Sequence, residues 1–121
     1  MIAEIMKASK CSFQDLAPSV LPDGTGIYVI TMESGETLRA GKTKTLCQRI
    51  YQNHLMGNQS GNLRSQLVNT GMCVDLDKAK DWIRQHCTVR WMEKSALDRI
   101  GIEINWAEHF MLAVLRPRFS D

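Results

Sequence analysis

The chain reads as a mixed α+β domain, and three observations carry that reading. The β-branched and aromatic run "IYVIT", followed by the turn "ESG" and then "ETLRAG", predicts a β-hairpin. From Lys44 onward the apolar residues recur at three and four instead of alternating, which predicts helix. "CTVRWME" then returns to alternation, Val89 and Trp91 against Arg90 and Met92, and predicts a third strand ahead of a last apolar helix.

The totals fit this size of fold. A chain of 121 residues with 44% hydrophobic residues supplies one core. Fifteen Lys and Arg against thirteen Asp and Glu leave a net charge of +2, so any basic surface is local. Cys11, Cys47, Cys73 and Cys87 are widely spread with no Cys-x-x-Cys pair, which argues against a zinc module and for free thiols in a reducing compartment. The start, "MIAEIMKASKCSF", reads as neither a signal peptide nor a membrane span, so the expected location is cytoplasmic.

Taken in order, Ser12 and Asp15 resemble a weak capping box, so a short helix is expected over "SFQDLAPSVL". The punctuation Pro22-Asp23-Gly24-Thr25-Gly26 precedes the hairpin. Leu46, Cys47, Ile50, Tyr51, His54 and Leu55 then mark one side of an amphipathic helix closed by Gly57. "GNLRSQLVNTG" predicts a short second helix, and Asp75 or Asp77 can cap a third through "KAKDWIRQH". The last helix, about 102 to 115, is stopped by Arg116-Pro117 and is apolar round most of its circumference, which predicts a central buried helix.

"ETLRAGKT" ends like a phosphate-binding loop, but Glu36 stands where the first glycine of Gly-x-x-x-x-Gly-Lys-[Ser/Thr] must be. No nucleotide cofactor is expected. Within the last helix Glu108 falls on the stripe that should face the core, and a buried carboxylate needs a cation or a metal. Arg49, at the edge of the apolar side of its own helix, is a candidate partner.

"GIYVI", "LRAGKT", "LCQRIYQNHL" and "WAEHFMLAVLRPRFSD", in that order, closely resemble the GIY-YIG nuclease family over about residues 22 to 120. The resemblance implies a three-stranded antiparallel sheet flanked by helices, with residues 1–21 as an N-terminal extension and 22–121 as the GIY-YIG-like domain. It implies a metal-dependent DNA endonuclease using one Mg²⁺ or Mn²⁺. Carried over by position, Tyr28 is the base or water-activating phenol, Arg49 stabilises the phosphorane, and Glu108 holds the metal. Such a set suits in-line attack on a phosphodiester, which needs an activated water, a cation and a Lewis acid.

The departures are as specific. Arg39 stands where the family's second tyrosine would be, and is either a donor to a phosphate oxygen or a strand-surface residue. The helical position four after Arg49 is Asn53, and His54 follows one later, about 100° further round an α-helix. His54 is then a catalytic group or a helix-surface or half-buried histidine. The asparagine after Pro-x-Phe is replaced by Ser120. Lys42 is a candidate phosphate contact. Arg64, Arg84, Arg90 and Arg99, with Trp82 and Trp91, are either a basic and aromatic surface for nucleic acid or, the favoured reading, scattered solvated charges around core tryptophans. The alternative to a nuclease is a catalytically impaired module that binds nucleic acid or a protein. A homodimer or a separate targeting partner is expected if both DNA strands are to be engaged.

Overall fold

The computed structural model describes residues 9–57 and 61–119; the expectation for Ser120 and the first eight residues of the extension lie outside them. The fold is α+β, a four-stranded antiparallel sheet with helices on both faces. Strand β1 (Ser9–Ser12), a 3₁₀ turn (Pro18–Val20) and the hairpin β2 (Gly26–Met32) and β3 (Thr37–Thr43) come first. Helices α1 (Gln48–Leu55), α2 (Leu63–Asn69) and α3 (Leu76–His86) follow, then β4 (Cys87–Glu93), α4 (Lys94–Arg99) and α5 (Ile104–Leu115). The spatial order is β1-β4-β2-β3. "LRAGKT" is therefore strand, and the sheet has one strand more than the sequence predicts.

The extra strand lies where a short helix is expected. Ser12 and Asp15 do make the anticipated contact, with the Asp15 N–H donating to Ser12 Oγ at 3.3 Å, but it closes a single turn. The preceding residues pair with β4, Cys11 opposite Val89, because an open sheet edge satisfies their backbone groups without a helix. Pro18 and Pro22 bar a helix from continuing past that turn.

Pleating divides the apolar residues between two faces. Tyr28, Ile30, Val89 and Trp91 look toward α1, α2 and α3, with Phe13, Leu46, Ile50, Leu63, Leu67 and Ile83 completing the larger core. Ile27, Val29 and Ala40 look the other way, toward Ala107 and Met111 of α5 and Leu97 of α4. A register shift after Ile30 places Arg39 opposite Ile30 and Thr37 opposite Thr31, so Leu38 is the inserted residue of a bulge. Gly26 is where α1 comes closest: a Cβ there would stand 2.5 Å from the Met92 carbonyl oxygen and 2.7 Å from Leu46 Cδ1.

Two helices depart from expectation. α1 is wound as a π-helix, its end marked by the Met56 N–H donating five residues back to the Tyr51 carbonyl at 3.1 Å. α5 is not a central buried helix. Only Ala107 and Met111 along it are buried, and Trp106 is 54% exposed, because a single sheet face covers one flank and nothing among the described residues covers the rest. α2 and α3 form as predicted, with Asn62 and Asp75 as their caps.

Candidate functional site

The polar groups of the larger core gather under α1. Tyr28 points from β2 toward this helix, and its Oη lies 2.9 Å from His54 Nε2 in a buried contact. The Leu63 N–H donates to His54 Nδ1 at 3.0 Å, so Nδ1 carries no proton. In the neutral ring the proton is therefore on Nε2, which donates to the phenol oxygen. Burial first, then the charges of Arg39 and Arg49, hold His54 well below its ordinary pKa, so the ring stays neutral. His54 is thus a fixed donor to Tyr28, and the phenol directs its own proton away from the ring.

Arg39 enters from β3 on the same face. It is 1% exposed, like Tyr28, which overturns the strand-surface reading. Its Nη1 donates to the Gly61 carbonyl and, at 2.7 Å, to Gln66 Oε1. Burial lowers its pKa, the Tyr28 phenol and a hydrogen bond to it oppose that, and the Arg49 charge adds to the drop. Arg49 and Asn53 are half-buried on α1 and form the solvent side of the group.

The winding of α1 accounts for the misplaced histidine. In an α-helix His54 would stand about 100° away from the position below Arg49. A π-helix bonds residues five apart and takes more residues per turn than an α-helix, so His54 stands nearer to Arg49's side of the helix than α winding would put it. The Asn53 carbonyl accepts from Asn62 Nδ2 at 2.7 Å. Asn62 also caps α2 by accepting from the Ser65 N–H at 2.8 Å, and thus sets where Leu63 can reach His54.

Glu108 and Lys42 form a second cluster, at the outer edge of β3. Glu108 Oε2 accepts from the Lys42 N–H at 3.2 Å, and Oε1 faces Lys42 Nζ at 3.9 Å. Lys42 Nζ also donates to Asn105 Oδ1. The cation that meets the carboxylate here is Lys42, reached from the neighbouring strand. A single carboxylate with water and a phosphate is usual company for Mg²⁺, so Glu108 suits a hard divalent ion, with the Lys42 ammonium as its competitor. Among the described residues no three His, Cys, Asp or Glu side chains come together as a metal cluster.

Sequence reasoning missed three residues of this region. Gln66 and Asn62 carried no signal beyond helix and turn propensity. Arg64 read as a solvated charge but is buried: Nε donates to the Leu76 carbonyl and Nη1 to the Met56 carbonyl, each at 2.8 Å, tying α1 to α3. Trp91 is core and Trp82 partly so, as expected. The four cysteines are free, and burial pushes the Cys87 thiol up to about 12. No helix among the described residues is long and apolar enough to cross a membrane. Comparison with protein-family models, with curated proteins and with solved structures finds no match for this chain.

Proposed function

We propose that this protein is a DNA endonuclease of the GIY-YIG type, hydrolysing phosphodiesters at the group formed by Tyr28, His54, Arg39 and Arg49. The observation that carries the proposal is the π-wound α1, whose His54 meets Tyr28 in a buried contact close enough to Arg39 and Arg49 to feel their charges. Such winding is rare and concentrates at functional sites. Tyr28 has donors from His54 and Arg39 on its oxygen, so its own O–H can be aimed at a water or a phosphate oxygen. Arg49, facing solvent, meets the charge that builds on the phosphorane. Glu108, the residue that would hold Mg²⁺ or Mn²⁺ for Lewis-acid stabilisation of the leaving oxygen, stands with Lys42 at the outer edge of β3, apart from the Tyr28 group.

One observation favours a second reading. Tyr28, Arg39 and His54 are buried, so in this conformation a phosphate reaches Arg49 alone. The same scaffold would then be a module that binds nucleic acid without cutting it.

Nicking of supercoiled plasmid and cleavage of single-stranded and branched DNA, with Mg²⁺ or Mn²⁺, separate the two. The nuclease cuts, and loses cutting with chelator and in Glu108→Ala and Tyr28→Phe. A folded protein that shifts DNA but cuts none of these substrates sinks the enzyme reading.

A further inference from the structure

The strand register assembles a polar surface that the proposed function does not use. On the face of the sheet that carries α5, cross-strand partners line up as Ala40, Val29, Arg90 and Lys10. α5 covers the first two with Ala107 and Met111. The row then continues onto Arg90, half-buried, and Lys10, exposed. The adjacent row is Thr37, Thr31, Thr88 and Ser12, the first two buried and the last two partly exposed. Between these rows lies a cavity of about 220 Å³ lined by Lys10, Arg90, Thr31, Thr88 and Glu33.

Arg90 is the feature that needs an explanation. Its Nη1 donates to Thr31 Oγ1 at 3.3 Å, while its Nε is buried with no hydrogen-bond partner among the described residues. A buried donor left unpaired is costly, and a guanidinium beside hydroxyls and a lysine is a fork for a phosphate. The cavity also holds one acid, Glu33, which is 69% exposed and whose Oε1 lies 3.0 Å from His86 Nδ1.

The flank of α5 turned toward these rows is aromatic. Glu108 and Asn105 engage Lys42 at the β3 edge, and Phe110 lies about 200° round the helix from Glu108, so it looks back over the sheet. Trp106 and Phe110 stack there with centroids 5.1 Å apart and planes 13° from parallel. Cations and hydroxyls beside an exposed indole stacked on a half-buried phenyl ring are the elements of a single-strand binding track, phosphates on one and bases on the other.

We infer that the uncovered half of this sheet face, with Lys10 and Arg90 as phosphate contacts and Trp106 as a stacking platform, binds a single strand of nucleic acid. The inference takes from the proposed function only the choice of nucleic acid as the polyanion. The two clusters occupy opposite faces of the sheet, so the track holds a strand apart from the Tyr28 group.

The test is anisotropy of labelled oligo-dT titrated with the full chain in EDTA, across a salt series, so that cutting plays no part. The Lys10→Gln/Arg90→Gln double variant binds about tenfold more weakly, and its salt slope falls by about 1.4, for two cations lost from a single strand. Trp106→Ala weakens binding by about tenfold and removes the quenching of tryptophan fluorescence by the oligomer. Lys78→Gln, on α3, changes nothing. Lys10→Glu, at an exposed position, gives the same weakening should Arg90→Gln disturb the fold. Undiminished binding in Lys10→Glu and Trp106→Ala, or a wild type that binds heparin but not oligo-dT, overturns the inference. A protein that fails to cut plasmid yet shows these losses refutes the nuclease and keeps the track.

Discussion

The two faces of the sheet are built from the same strands and solve opposite problems. The face under α1, α2 and α3 is fully covered, yet at its centre it holds Tyr28, Arg39 and His54. The face under α5 has an apolar patch of six residues at its heart, yet leaves Trp106, Leu112 and Val114 exposed along the helix. A protein built for stability alone would reverse this, since buried donors are costly and exposed apolar side chains add nothing. The contrast teaches that polar groups were retained where water is excluded and their directions are fixed. The apolar surplus lies where a partner can reach it.

Several substitutions break or sharpen that contrast. The largest effect is on activity: Tyr28→Phe lowers plasmid nicking by about 10²- to 10⁴-fold, the range for loss of a proton-transferring group, and leaves buried donors without their acceptor at a cost of about 1–3 kcal/mol in urea unfolding. Equal nicking by wild type and variant would show that the buried phenol is merely packed. Next, Arg39→Met strands the Gly61 carbonyl, Gln66 and the Tyr28 oxygen, and costs about 3 kcal/mol in urea unfolding. Gly26→Ala forces a Cβ against backbone and Leu46 where α1 meets the sheet, at a cost of about 1–3 kcal/mol.

Acidification acts on the covered face alone. His54 has a folded pKa below its unfolded value, so the folded state binds fewer protons and the stabilisation is complete above the ordinary pKa of 6.5. Stability falls as pH drops below that value toward the depressed one, by up to about 1.4 kcal/mol per pH unit. Thermal melts of His54→Gln flatten over that window if the histidine is the group responsible. The smallest effect belongs to the open face: Trp106→Ala shifts the urea midpoint by less than about 0.5 kcal/mol equivalent, because its indole is already in water.

Much of this was legible in the residues, for reasons that also mark where legibility ended. The hairpin, β4 and helices α2, α3 and α5 announce themselves through period, caps and turns, which are local signals. β1 does not, because "SKCS" has no strand composition and is recruited by the free edge of β4. Tyr28, Arg39, Arg49 and His54 are singled out by the sequence and lie near one another under α1, whereas Glu108 stands apart, and the full burial of Arg39 and His54 is not legible because it is set by what α1 and α2 cover. The winding of α1 left one trace: its apolar pairs 46–47, 50–51 and 54–55 repeat every four residues, longer than the α period. The Glu108–Lys42 pairing joins residues from opposite ends of the chain, and no spacing encodes it.

The outer edge of β3 has a consequence for handling the molecule. Its outward backbone groups are taken by Glu108, which accepts from Lys42, and by the tail, where the Arg118 and Phe119 N–H groups donate to the Thr37 and Leu38 carbonyls at 3.0 and 2.9 Å. The tail acts as a substitute strand that keeps other chains from adding there. Removing the Arg118–Phe119 pairing therefore frees two carbonyls of β3 for another chain, and edge-to-edge association rises on size-exclusion chromatography.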